Sequence, residues 1–79
     1  MRTVEEIAEN AIIIVAGYAF EKYESFIRVT NLDNISEVAL FTFDGTLYET
    51  TMDAIQLEIV KDYFKRDRKF LFDEESDRT

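Results

Sequence analysis

The sequence predicts an α+β domain in which a three-stranded antiparallel meander is flanked by an N-terminal and a C-terminal helix. Three observations predict it: helical spacing of apolar residues towards each end, alternating apolar and polar residues in the middle, and an Asp-Gly pair typical of β-hairpin loops. With 79 residues the chain has room for one hydrophobic core. We therefore expect a single domain over residues 1–72, followed by an acidic, flexible tail over residues 73–79.

The first helix is predicted from residue 4 to about residue 23. Thr3 and Glu6 have the spacing of a capping box, in which two side chains satisfy free backbone N–H groups at the start of a helix. Apolar residues then recur at helical spacing as far as Tyr18. The β-branched run at residues 12–15 also suits a buried strand, and this alternative stays open.

Three strands are predicted, over residues 26–31, 35–43 and 46–50, with a turn at residues 32–34. Asp44-Gly45 is the sharpest local signal, because these two residue types accept the positive φ angles of a type I′ hairpin turn. A loop of two residues would fix the register of the hairpin, pairing Phe43 with Thr46, Thr42 with Leu47 and Phe41 with Tyr48.

The second helix is predicted to begin after a Thr50 or Thr51 cap, with Asp53 in its first turn. It should continue into the basic cluster at residues 65–69, where cations suit the negative end of the helix. Three large apolar residues follow at 70–72, and we expect them to close the core.

Residues 40–47, Leu-Phe-Thr-Phe-Asp-Gly-Thr-Leu, resemble the first motif of haloacid-dehalogenase-like phosphatases, Asp-x-Asp-Gly-Thr-Leu. The resemblance implies that Asp44 is a general acid and base and that Thr46 helps to orient it. The nucleophilic aspartate of that motif falls at Thr42, which carries no carboxylate. A hairpin turn accounts for the same Asp-Gly pair, and we prefer that interpretation.

The composition disfavours several classes of function. The chain has neither Cys nor His, so thiolate zinc sites, thiol nucleophiles and the usual general base are missing, and we expect no enzyme, metal or cofactor. Seventeen acidic against nine basic residues give a net charge of −8, which disfavours nucleic acids and anionic membranes and favours a basic protein partner. The longest apolar stretch, residues 11–20, is too short to span a membrane, and we expect a cytoplasmic protein.

The distribution of apolar residues predicts self-association. The second half of the predicted first helix has an additional apolar side, and the predicted sheet is apolar on both faces. We therefore expect a homodimer, formed through the first helix or through an open face of the sheet. The interface residues expected on that helix are Ile13, Ala16, Gly17 and Phe20.

The leading hypothesis for function is a non-catalytic, acidic protein-interaction module. In a sharper version its carboxylates imitate a nucleic-acid backbone and inhibit a basic protein. The first candidates lie along the predicted first helix: Glu5, Glu6, Glu9, Glu21 and Glu24. The alternative is a module that binds a nucleic acid or another anion through the basic cluster. Its candidate residues are Lys61, Lys65, Arg66, Arg68 and Lys69. A small enzyme is the third and weakest hypothesis.

Overall fold

Within residues 2–72, five antiparallel strands form one meandering sheet in the order β1-β2-β3-β4-β5, with a helix before it and two helices after it. The structure is a computed structural model that describes residues 2–72, so the predicted acidic tail lies outside the described residues. The elements are α1 (Val4–Asn10), β1 (Ile13–Val15), β2 (Tyr18–Lys22), β3 (Ile27–Asn31), β4 (Val38–Phe41), β5 (Leu47–Thr50), α2 (Ala54–Arg66) and α3 (Arg68–Phe72).

The predicted three-stranded meander is wrong, because the second half of the predicted first helix is a β-hairpin. The helix ends at Asn10, and the strand alternative at residues 12–15 is the correct one. Ala16 and Gly17 form the turn between β1 and β2 with φ angles of 53° and 84°, which a right-handed helix cannot contain. Ile13 and Phe20 explain the error: they are seven residues apart, as on one helix face, and they are also a cross-strand pair.

The second hairpin has a three-residue loop in place of the predicted two-residue loop. Gly45 N donates to Thr42 O (3.0 Å), Thr42 N donates to Thr46 O (2.9 Å), and Gly45 has a φ of 93°. These hydrogen bonds define a turn over residues 42–45, in which Gly45 has the positive φ typical of a three-residue hairpin loop. None of the three predicted pairs forms. Two observed pairs continue the predicted register, and the third is displaced by one residue: these are Leu40–Glu49, Ala39–Thr50 and Phe41–Leu47.

The hydrophobic core lies between one face of the sheet and the two C-terminal helices. Phe20, Val29 and Ala39 follow one another across three strands and are fully buried. α2 adds Val60 and Phe64 to this core. Core closure by residues 70–72 is confirmed for two of the three: Leu71 is buried and Phe72 packs against the core, whereas Phe70 is 58% exposed.

Asp53, and not a threonine, caps α2. Its side chain accepts a hydrogen bond from Gln56 N (2.8 Å), as expected for an Asp at an N-cap. The predicted Thr50 and Thr51 caps are wrong. The Thr50 hydroxyl donates to Val38 O (2.8 Å), and the Thr51 hydroxyl donates to Ser36 O (2.8 Å). α2 ends at Arg66, and Asp67 separates it from α3. Within residues 2–72, no helix is both long and apolar enough to cross a membrane.

α1 packs on the opposite face of the sheet, where a buried carboxylate ties it to β2. The Thr3–Glu6 capping box is confirmed at its start. Glu21 on β2 is fully buried and accepts hydrogen bonds from Arg2, from Asn10 Nδ2 (2.9 Å) and from the Tyr23 hydroxyl (3.1 Å). Burial raises the pKa of Glu21, but these hydrogen bonds outweigh it, and the pKa lies below its ordinary value.

Replacing Ala16 with Gly should raise the free energy of unfolding by about 0.5–1 kcal/mol, because Gly adopts a φ of 53° without the steric cost paid by Ala. Gly17→Ala is the matched opposite change and should lower the free energy of unfolding by about 1 kcal/mol, because Ala is strained at a φ of 84°. A steric clash does not contribute, since an added Cβ meets nothing within 4 Å. Urea denaturation measures both. Equal effects of the two substitutions would contradict the assignment of a left-handed turn here.

Glu21→Gln should lower the free energy of unfolding at neutral pH by about 1–2 kcal/mol, since charge-assisted hydrogen bonds to a buried carboxylate are lost. Because the folded-state pKa is lowered, the carboxylate stabilises the fold above its unfolded-state pKa, and this stability is lost as pH falls through the folded-state pKa. The variant should therefore show a flatter dependence of stability on acid pH. Glu9→Gln, on the exposed face of α1, is the control. Parallel pH profiles for all three proteins would show that Glu21 is not the titrating group.

Candidate functional site

A groove of about 370 Å³ opens between the β4–β5 loop and the C-terminal helices. Its floor contains Phe41 from β4 and Phe64 from α2, whose rings lie 5.2 Å apart in a tilted arrangement. Both side chains are almost completely buried. The remaining lining residues are Asp44, Gly45, Lys61, Lys65 and Arg68. The groove thus combines an apolar base with charged walls.

Three cations converge on this groove. Lys61 and Lys65 are four residues apart on α2, so they project from the same side of the helix. Arg68 begins α3, and its Nη1 donates to Phe43 O at 2.9 Å. Its guanidinium carbon also lies 4.7 Å from the centroid of the Phe72 ring. These contacts hold the arginine at the edge of the groove, whereas both lysine side chains have no hydrogen bond or ion pair within residues 2–72.

Among residues 2–72, the one carboxylate that lines the groove belongs to the β4–β5 loop. Asp44 accepts hydrogen bonds from the Thr42 hydroxyl and from Thr46 N (3.1 Å). These hydrogen bonds, the one from Thr42 foremost, lower the pKa of Asp44, so it is ionised at neutral pH. One of its two oxygens is already engaged in the turn. The electrostatics of the groove are therefore dominated by its three cations.

Gly45 lets the loop lie directly against the floor of the groove. A Cβ added at this position would stand 3.7 Å from Phe64 Cε1, and the φ of 93° favours glycine. The Asp-Gly pair was predicted as a turn signal only. Its second role, close packing on α2, depends on a residue nineteen positions away and is not visible in a local pattern.

The structure divides the predicted basic cluster. Lys65 and Arg68 line the groove. Arg66 instead pairs with Asp62 at 3.0 Å and lies 5.7 Å from the Tyr63 ring centroid. Lys69 lies 5.9 Å from the Phe70 ring centroid. The division follows from the break at Asp67, which interrupts the continuous helix that was predicted.

The four residues predicted as a helical interface do not share a helix. Ile13 and Phe20 face the core from adjacent strands, and Phe20 is fully buried and so closed to a partner. Ala16 and Gly17 form the exposed tip of the β1–β2 hairpin. The predicted interface on the first helix is therefore wrong. The β1–β2 hairpin places Ala16 and Gly17 at its tip, whereas Ile13 and Phe20 pair with each other at the other end of β1.

Three of the acidic residues predicted to bind a basic partner, Glu5, Glu6 and Glu9, lie on α1 and are exposed. Glu24 follows β2 and is exposed, whereas Glu21 lies on β2 and is fully buried. The prediction is therefore wrong for Glu21, whose carboxylate is closed to a partner. Glu6 is used in the capping box, where its carboxylate accepts from Thr3 N at 3.0 Å. Glu5 and Glu9 have no hydrogen bond or ion pair to another part of the described chain. Their role as a surface for a basic protein stays a prediction.

The described residues give little support to a metal centre. Among residues 2–72, no three acidic side chains come together in a way that could hold a metal ion. The phosphatase-like motif also has a local explanation, since the Thr42 hydroxyl and Asp44 bond to each other within the loop. The motif residues therefore serve the turn that forms one wall of the groove.

Comparison with known proteins places the chain in a family. A family of unknown function, DUF7723, matches residues 1–71. The chain belongs to this family. No curated protein and no solved structure matches it. These comparisons assign no function to the groove.

Thr42→Val should raise the pKa of Asp44 towards its ordinary value, because the variant removes the hydroxyl that donates to the ionised carboxylate. A carbon-detected NMR titration of the aspartate carboxyl resonances measures this pKa directly. Ser36→Ala removes a hydroxyl from a different turn and should leave it unchanged. A pKa of Asp44 that is identical in wild type and Thr42→Val would contradict the hydrogen bonding of the loop.

Proposed function

We propose that the protein is a non-catalytic protein-binding module that holds a short acidic segment of a partner in the groove. The observation that supports this most is the convergence of Lys61, Lys65 and Arg68 on a groove with an aromatic floor. In a chain of net charge −8, three of the nine basic side chains are gathered at this one place. Such a concentration of cations suits an anionic ligand.

The two lysines are available to a ligand. Neither ammonium group has an acceptor within residues 2–72, so neither has to give up a bond when a carboxylate arrives. A carboxylate about 4 Å from one ammonium near a protein surface gains up to about 4 kcal/mol before desolvation and ordering are subtracted. Arg68 is already oriented by Phe43 O and Phe72, which reduces the entropy lost when it meets the ligand.

The apolar floor favours a peptide over a simple inorganic anion. Gly45 and the methylene groups of Lys61 and Lys65 line the groove above the buried rings, and such apolar surface gains from covering by an apolar side chain. A segment with one aromatic or aliphatic residue next to two or three carboxylates satisfies both parts of the groove. Small protein-binding sites commonly combine a central apolar anchor with charged groups at the rim.

A nucleic acid is a poorer fit than an acidic peptide. Nucleic-acid binding depends on several basic residues that follow the phosphate backbone, and here Arg66 and Lys69 are directed to contacts of their own. The overall negative charge also repels a long polyanion more strongly than a short peptide. The alternative of a nucleic-acid module is therefore the less favoured of the two anion-binding hypotheses.

A titration followed by ¹H–¹⁵N NMR tests the proposal on the full chain. The probe is a capped Phe-Asp-Glu-Glu peptide, and the control peptide is Phe-Asn-Gln-Gln. The acidic peptide should cause saturable shifts centred on Gly45, Lys61, Lys65 and Arg68, and added salt should weaken its binding. The neutral peptide should bind at least about tenfold more weakly, since a lost charge pair of 1.4 kcal/mol corresponds to a factor of ten.

Matched variants locate the binding site. Replacing both Lys61 and Lys65 with Ala should reduce affinity by about tenfold or more without unfolding the protein, because both side chains are exposed on a helix that tolerates Ala. Arg66→Ala removes one positive charge outside the groove and should leave affinity nearly unchanged. The proposal would be overturned if the acidic and neutral peptides bound equally well. It would also be overturned if duplex DNA displaced the acidic peptide from wild type but not from Arg66→Ala.

A further inference from the structure

The sheet has a partly uncovered face over β4 and β5, on the side away from α2 and α3. Register places one row of side chains across this face. The members of that row are Glu21, Arg28, Leu40 and Glu49. Val38 lies beside it in a parallel row that also contains Ala19 and Thr30.

Burial decreases across this face from β2 to β5. Glu21 on β2 is fully buried beneath the groups that tie it to α1. Arg28 and Leu40 on the next two strands are half-buried, and Glu49 on β5 is exposed. Among the described residues, α1 is the helix on this side, and it packs chiefly against β2. Within residues 2–72, the half of the face over β4 and β5 is therefore open.

Two opposite charges that form no ion pair within residues 2–72 flank the apolar centre of this open face. Arg28 and Glu49 stand on either side of Leu40, each about 5 Å away across the strands. Neither forms an ion pair within residues 2–72, and Arg28 Nε is buried there without a hydrogen-bond partner. A buried guanidinium nitrogen without an acceptor is costly, so within residues 2–72 the environment of Arg28 is incomplete.

We infer that this face is a self-complementary surface through which two copies of the chain pair. A two-fold axis between the sheets, parallel to β4 and above Leu40, exchanges the two sides of the row. It brings Arg28 of each copy opposite Glu49 of the other and places the two Leu40 side chains against each other. Isologous interfaces have this property: residue i contacts residue j, and residue j contacts residue i.

A second copy fits this surface better than an unrelated partner because the row already contains its own complement. The charges are equal and opposite, and they are spaced evenly about Leu40. Val38 and Leu40 supply an apolar centre, which packing of sheet on sheet at about 10 Å would cover. The homodimer predicted from the sequence is thus inferred here for the open sheet face and not for helix one.

Light scattering coupled to size exclusion tests this inference on the full chain, from low micromolar to several hundred micromolar protein. Wild type should reach twice the mass of the 9.3 kDa chain as concentration rises. Glu49→Arg places like charges opposite each other and should weaken dimerisation by at least about tenfold. Leu40→Glu should abolish it, since it places two carboxylates at the axis.

Glu58→Arg is the matched control, because it makes the same charge change on the exposed surface of α2, away from this face. It should leave the dimer intact. Circular dichroism checks that each variant is folded. If Leu40→Glu does not fold, the effect of Glu49→Arg on dimerisation tests the inference, because position 49 is exposed. A wild-type chain that stays monomeric at the highest concentration, or a dimer that only Glu58→Arg dissociates, would overturn the inference.

Discussion

The turn at Ala16-Gly17 is the constraint on which the rest of the structure depends. Its two left-handed residues end β1 and start β2 in the opposite direction. Because β1 then pairs with it, β2 becomes an interior strand with both faces covered. Phe20 enters the core on one face, and Glu21 is buried under α1 on the other. A continuous helix here would have removed β2, which pairs with β3 and forms the surface on which α1 packs.

Charge is distributed unevenly over this fold, and its distribution separates a region with a structural role from the region for which we propose a binding role. The buried Glu21 accepts hydrogen bonds from three residues and serves to hold α1 on the sheet. Lys61 and Lys65 have no acceptor in the described part of the chain and border an apolar groove. Satisfied buried charges favour a single fold, whereas unsatisfied charges at an open surface are available to a ligand.

Local sequence patterns predicted most of the chain from β3 onwards, because its elements follow local rules. The strand at 26–31, the turn after it, the hairpin at Asp44-Gly45 and α2 all appear close to their expected positions. The β1–β2 hairpin was missed because Ala16 is a poor signal for a positive φ and because Ile13 and Phe20 suit a helix equally well. The helical and the strand spacing both fit these residues, and packing against the rest of the sheet favours the strand. Such packing is a tertiary effect that a local pattern does not contain.

The groove could be predicted only in part. The basic residues were visible in the sequence, and the spacing of Lys61 and Lys65 places them on one side of a helix. The break at Asp67, which separates Arg68 from Arg66, has no strong local signal. The approach of Gly45 to Phe64 joins residues that are far apart in the chain. A site built from such contacts emerges only when the fold is known.

Intermolecular nuclear Overhauser effects between the protein and a capped Phe-Asp-Glu-Glu peptide test the central claim most directly. If the groove holds an acidic segment, the aromatic protons of the peptide should show contacts with Phe64, Gly45 and the side-chain methylenes of Lys65. Contacts confined to α1 or to the open sheet face, or a bound peptide with no contact to the groove, would contradict the account.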